Sequence, residues 1–152
     1  MTAVLALGSN VGDRQAHLRA ALEVLQPFAV SPVYETAPIG VLEQGDFLNA
    51  VVLVDVDAVT AWERAQRAEA AAGRERRVRW GPRTLDVDVI MASGSAPGLV
   101  LPHPRAFSRA FVLVPWLDLD GEAYLPGHGA VAELVAALDV TGVRRVDDLA
   151  LQ

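Results

Sequence analysis

Hydrophobic and polar positions divide the chain into short periodic runs separated by turn-forming clusters. Residues 3–7, AVLAL, read as a strand that stops at Gly8. Asp13 can then cap a helix reaching about residue 26, with Leu18, Leu22 and Leu25 along one face. The stretch 29–36, AVSPVYET, is extended, and Pro32 marks it as an edge strand or a bulge. Residues 37–46, APIGVLEQGD, show no period and read as a loop, whereas FLNAVVLVDV at 47–56 is a strong strand. Thr60 caps a helix running to about residue 72, which Gly73 ends. An arginine-rich loop at 74–83 leads into a strand at 84–91, TLDVDVIM, and LPHPR is a further loop. A short helix starts at Ser108 or Arg109 and runs through AFVLVPWL, and a last helix covers about 130–138.

The order β-α-β-β-α-β is that of the ferredoxin-like split βαβ unit, an α+β fold with an antiparallel sheet and its first two helices on one face. The later helices can cover the other face, giving a three-layer α-β-α domain over residues 1–152. This architecture serves many activities, so the chemistry has to come from particular residues.

The first such residues lie in RWGPRTLDVDVI at 79–90. On a strand, positions i and i+2 share a face, so Asp86 and Asp88 point one way while Leu85, Val87 and Val89 point the other. Paired carboxylates repel unless a cation lies between them, and magnesium takes one or two carboxylates plus waters and substrate phosphates. A solvated strand face would also account for an isolated Asp-x-Asp. The arginines upstream favour the metal: five fall between Arg74 and Arg83, at 74, 76, 77, 79 and 83, against one acid, Glu75. Arginine suits bidentate phosphate recognition, and Trp80 can stack on a planar ligand.

Composition narrows the chemistry further. The 152 residues are 52% hydrophobic and 21% charged, a globular balance, and no run approaches the length of a membrane helix. The net charge of −6 argues against a general nucleic-acid binder and sets the arginine cluster apart as a site for a compact anion. All 13 basic residues are arginine, which excludes a Walker lysine, a kinase strand lysine and a Schiff base. There is no cysteine, hence no disulfide or thiolate zinc site, and MTAVLALGSNVGD lacks the features of a cleavable leader; together these point to the cytoplasm. GSNVGD at 8–13 lacks the spacing of a dinucleotide or P-loop motif, so Gly8 and Gly12 read as turn geometry. His103, between two prolines, is a better site candidate than His17 or His128. From residues alone the reading is a magnesium-dependent phosphoryl-transfer enzyme. A palm-like nucleotidyl transferase or cyclase and a non-catalytic ferredoxin-like binding module remain as alternatives.

Taken together, ALGSNVGDR (6–14), SPVYETAPIG (31–40), QGDFLNAVV (44–52), EAAAGR (69–74), RWGPRTLDVDVI (79–90) and the LPHPR to FVLVPW block (101–116) resemble the 6-hydroxymethyl-7,8-dihydropterin pyrophosphokinases of folate biosynthesis. The resemblance runs in order over most of the chain. It implies a ferredoxin-like three-layer fold and transfer of pyrophosphate from ATP to the pterin hydroxymethyl, with release of AMP and with two magnesium ions. It implies that Asp86 and Asp88 hold both ions, and that Gln66, Glu69, Arg76, Arg79, Trp80, Arg83, Val89, His103 and Arg109 contact ATP. Arg74 and Arg83 would close over the triphosphate and serve catalysis. The pterin would lie between Phe47 and Phe111, with Thr36, Ala37, Ile39 and Asn49 on its polar edge and Trp80 beside it. Ala37 and Pro104 depart from residues found in many relatives, a proline and an aromatic respectively. The expected partners are small molecules only, with no nucleic acid and no membrane, and the chain is expected to act as a monomer.

Overall fold

The computed structural model describes residues 2–36, 46–73, 85–147 and 149–151. Strand β1 (Ala3–Ser9) leads into helix α1 (Arg14–Leu25), capped by the Asp13 side chain, which accepts the Ala16 N–H. At the far end Gln26 adopts a left-handed conformation, with Pro27 behind it, so the helix stops there. The extended stretch after it is two pieces, β2 (Ala29–Val30) and β3 (Tyr34–Thr36), and both pair with β4 (Phe47–Val54). Three residues, Ser31 to Val33, oppose two on β4, so the bulge reading of Pro32 holds and the single-strand reading does not. Ser31 Oγ accepts the Val51 N–H that the bulge would strand.

Helix α2 (Ala58–Ala71) begins earlier than its sequence suggests. Asp57, not Thr60, is the cap: its carboxylate accepts the Thr60 N–H, and Thr60 lies inside the first turn. Gly73, at φ +69°, follows the helix as expected. Strand β5 (Asp86–Met91), a 3₁₀ turn at Ala106–Ser108, helix α3 (Ala110–Leu119), a hairpin of β6 (Tyr124–Leu125) and β7 (Gly129–Ala130), helix α4 (Val131–Ala136) and strand β8 (Val143–Arg145) complete the order. The hairpin and β8 have no counterpart in the hydrophobic pattern. The last helix is shorter than expected, and β4 ends at Val54, not at residue 56.

The main sheet runs β5-β1-β4-β3-β8, with β2 also on β4, and its strands pair antiparallel throughout. Its first four places are those of the ferredoxin-like unit, and β8 adds a strand outside β3. Strand alternation sorts the side chains into two cores. Ala3, Leu5 and Leu7, with Leu48, Val52, Val54, Leu85, Val87 and Val89, pack against α1 and α2. Val4, Ala6, Val51 and Ile90 face the opposite way, against Val112, Leu113 and Trp116 of α3 and Val131 of α4. The three-layer arrangement is therefore as read from the sequence. Tyr34 ties the α3 layer to the sheet, donating to Asp118 Oδ2 at 2.5 Å, and burial followed by that carboxylate pushes its pKa up to about 12. Among the described residues no helix is long and apolar enough to cross a membrane.

Small side chains set how closely α2 can approach the sheet. Its buried face is built from Ala58, Ala61, Ala65 and Ala68, which brings the backbone near enough for Glu69 to touch β5. Ala65→Leu should destabilise the fold by about 1–3 kcal/mol through overpacking. Urea unfolding checks this, with a change at the exposed neighbour Arg67 as the control expected to move stability little.

Candidate active site

Register assembles the site on the sheet face that α3 covers. Gly8 of β1 lies opposite Asn49 on one side and Asp86 on the other, and Ala6 lies opposite Val51 and Asp88. Asn49 and Asp86 thus stand in one transverse row, two strand spacings or roughly 9.5 Å apart. The residue between them has no side chain. A Cβ on Gly8 would sit 3.2 Å from Asn49 Oδ1 and 3.4 Å from Phe47 Cδ1. Gly8 is not among the positive-φ glycines, so its reading as turn geometry is corrected: it sits in a regular strand and supplies space. Gly12, at φ +71°, is the turn glycine of that motif.

One end of the row is polar and buried. Asn49 and Thr36 are 4% and 5% exposed, and Asn49 Nδ2 donates to Thr36 Oγ1 at 2.7 Å. An asparagine in the run FLNAVV would be costly to bury alone, and this bond orients its amide. Thr36 pairs across with Phe47, whose half-buried ring starts β4 on the same face. Phe111 is half-buried in the first turn of α3, the helix packed over that face.

The other end is charged. Asp86 and Asp88 are half-buried on the α3 side while Val87 and Val89 point into the α1–α2 core, as alternation requires. Between Leu5 and Val4 the ladder to β1 slips by one residue, so Ile90 and Met91 both face α3. The Ile90 carbonyl accepts the His103 N–H at 2.8 Å and so docks the LPHPR segment beside the aspartates. Beyond it the 3₁₀ turn at Ala106–Ser108 leads to Arg109, which caps α3 by its backbone. Arg109 Nη1 stands 3.6 Å from Asp88 Oδ2, and the guanidinium lies 5.6 Å from the centre of the Phe111 ring. Asp88, His103, Arg109 and Phe111 are therefore gathered in one place. His103 Nδ1 accepts the Arg105 N–H at 3.2 Å. Burial holds its pKa below the ordinary histidine value; Asp88 pulls it up, and Arg109 and Arg105 push it down.

Three residues of the expected ATP set belong to α2 or face the α1–α2 core. Gln66 is exposed on α2. The Val89 side chain is buried against α1 and α2, so only its backbone could meet a ligand. Glu69 is 9% exposed, and its Oε2 accepts the Val87 N–H at 2.9 Å. That contact fixes the outer edge of β5 midway between the two aspartates, a role the sequence reading missed. The available signal is spacing: Glu69 follows Ala61 and Ala65 at four-residue intervals and so shares the inward face of α2. Ala37, Ile39, Arg74, Arg76, Arg79, Trp80 and Arg83 lie outside the described residues.

Among the described residues no three His, Cys, Asp or Glu side chains cluster as a metal cage. A two-carboxylate donor set beside a cationic wall suits magnesium, which completes its shell with water and phosphate oxygens; it does not suit a protein-only zinc site.

Residues 4–121 match the profile of the 7,8-dihydro-6-hydroxymethylpterin-pyrophosphokinase family. The chain is 49% identical, over 93% of its length and 86% of the relative's, to the 2-amino-4-hydroxy-6-hydroxymethyldihydropteridine pyrophosphokinase of Mycobacterium leprae. It is 40% identical, over 77% of each chain, to the protein of the same name from Bacillus subtilis. Among solved structures, an HPPK-DHPS chain in complex with substrates superposes with a TM-score of 0.69 at 12% identity, a likeness of fold. The superposition covers 90% of this chain and 43% of that one, so the chain spans less than half the length of that protein.

Two outcomes are expected from the geometry. Glu69→Leu removes the acceptor for a buried N–H and should cost about 1–3 kcal/mol, whereas Glu69→Gln keeps an acceptor and should cost less; chemical denaturation separates them. Because His103 has a depressed pKa when folded, its contribution to stability is present above its unfolded pKa and lost as pH falls through the folded one. Melting temperatures measured from pH 7 down to pH 5 should therefore fall more steeply in the wild type than in His103→Asn, which keeps an acceptor and does not titrate.

Proposed function

The chain belongs to the 7,8-dihydro-6-hydroxymethylpterin-pyrophosphokinase family, and from that premise we propose that it transfers the pyrophosphoryl group of ATP to the hydroxymethyl oxygen of 6-hydroxymethyl-7,8-dihydropterin, releasing AMP, as a step of folate biosynthesis. One observation carries the reading at the level of residues. A polar, aromatic-flanked place for a flat heterocycle and a carboxylate–arginine place for a polyphosphate share one sheet face, separated only by Gly8.

On this reading the pterin ring lies between Phe47 and Phe111, with Thr36 and Asn49 on its amide-like edge. Asn49 is already oriented by its bond to Thr36, so little ordering remains for binding to supply. Ala37, Ile39 and Trp80 complete that edge by family resemblance. Asp86 and Asp88 hold two magnesium ions, which when bound neutralise the triphosphate oxygens. Arg109 and His103 approach the phosphates from the α3 side, and Arg74, Arg76, Arg79 and Arg83 from the segment before β5. By family resemblance Gln66, exposed on α2, and the Val89 backbone also meet the nucleotide. Glu69 acts mainly from behind, by holding Val87. The reaction needs no covalent enzyme intermediate. The work these groups do is to bring the hydroxyl and the β-phosphorus together and to balance charge, which suits phosphoryl transfer.

We further read the enzyme as one domain acting as a monomer in the cytoplasm, where ATP is supplied. The sheet edges support the monomer. On one side Glu69 occupies the Val87 N–H, and on the other the outermost strand is only Val143–Arg145, short and carrying two arginines.

The test is to incubate the protein with ATP, magnesium and 6-hydroxymethyl-7,8-dihydropterin and identify the nucleotide product. AMP formed only when the pterin is present supports the reading; ADP, or pyrophosphate release, sinks it. Asp86→Ala should lower kcat by about 10²–10³-fold, the scale of losing a group that stabilises transition-state charge, while pterin binding persists. Near-normal turnover in that variant would remove the aspartates from the site.

A further inference from the structure

Glu35 and Asp46 stand just before and just after residues 37–45, next to the Thr36–Phe47 rung of the sheet. Alternation puts Glu35 on the face opposite Thr36, toward α1. Two arginines meet there. Arg14 Nη1, from the first turn of α1, donates to Glu35 Oε2 at 2.9 Å and to the Asp46 backbone oxygen at 2.9 Å. Arg144 Nη2, from β8 and in register with Glu35, donates to Glu35 Oε1 at 2.9 Å and to Asp46 Oδ2 at 3.1 Å. Each guanidinium thus spans both strands, and each acid accepts from both arginines. Partly exposed ion pairs add little to overall stability. What this set fixes is the relative position of two strand ends, at the rung that carries Thr36 and Phe47.

We propose that Arg14 and Arg144 are positioning residues for the pterin end of the site, setting its affinity from behind the sheet without touching the ligand. The inference rests on the pterin reading above. Among the described residues, neither arginine bonds to Asp86, Asp88, His103 or Arg109, so the nucleotide end should not depend on them. The two arginines share both acceptors, so their effects should couple.

The experiment is a titration of 6-hydroxymethyl-7,8-dihydropterin, in the presence of magnesium and a non-hydrolysable ATP analogue, into wild type, Arg14→Ala, Arg144→Ala and the double variant. Nucleotide affinity is measured separately. Arg14→Ala should raise the pterin Kd by about tenfold, the equivalent of one charge-assisted hydrogen bond. Arg144→Ala should raise it less, the double variant less than the product of the two, and the nucleotide Kd should stay within about twofold of wild type. In steady state the pterin KM rises while kcat at saturating pterin holds. Unchanged pterin affinity in both variants, or equal weakening of pterin and nucleotide, overturns the proposal. A purely structural role would move melting temperature but not the ratio of the two affinities. Arg144 is 61% exposed in its side chain, so its variant keeps the test open where Arg14→Ala fails to fold. A wild type that binds nucleotide but no pterin would instead overturn the pterin reading on which this rests.

Discussion

Antiparallel pairing of one strand with two neighbours is the constraint on which the rest depends. Because β1 pairs with both β4 and β5, the position of Gly8 fixes which residue of each neighbour lies beside it. Asn49 and Asp86 are more than thirty residues apart in sequence, yet neither can shift along its strand without moving its whole set of core side chains. Val87 and Val89 lock β5 into the α1–α2 core, and Leu48 and Val52 lock β4 there too. Distance between the two halves of the candidate site is thus set by apolar burial on the opposite face of the sheet. A slip of one residue would turn Asp86 and Asp88 into that core, where two carboxylates would be expensive.

Support from behind is the recurring device. Glu69 reaches the strand between the aspartates from α2, on the side away from α3, and the Arg14–Glu35–Arg144–Asp46 set ties strand ends beneath Thr36 and Phe47. The face toward α3 carries a longer ion pair among the described residues. Arg109 Nη1 and Asp88 Oδ2 are 3.6 Å apart, an ion pair beyond hydrogen-bond distance. Rigid elements with adaptable charged tips suit a reaction that rests on orientation.

Much of this was legible in the sequence because it follows from periodicity. Alternation in LDVDVI separated the aspartates from the valines, and the order of strands and helices gave the central sheet and its layers. What was not legible lacked a period. Val143–Arg145 is three residues with two charges and looks like coil, yet it pairs with β3 because Arg144 finds Glu35 and Asp46 there. Thr60 and Asp57 are both good caps, and only the position of the first turn decides between them. A glycine in a motif suggests a turn, and the need for space at Gly8 appears only once Asn49 and Phe47 are alongside. Glu69, expected at the nucleotide, instead accepts the Val87 N–H, a bond between helix and strand that no local pattern announces. Arg14, Glu35, Asp46 and Arg144 carry no local signal at all, because they are brought together solely by the fold.

The placement of β8 has a consequence in time. Glu35 and Arg144 are 109 residues apart, so during vectorial synthesis the strand that covers β3 emerges long after β3 itself. Until then the newborn chain presents an open sheet edge and two acids without their second arginine. The four-strand core can condense first, since its pairings close within the first 91 residues. The Thr36–Phe47 end of the sheet therefore waits on residues translated late, and a ribosome-tethered chain would organise its Asp86–Asp88 end first.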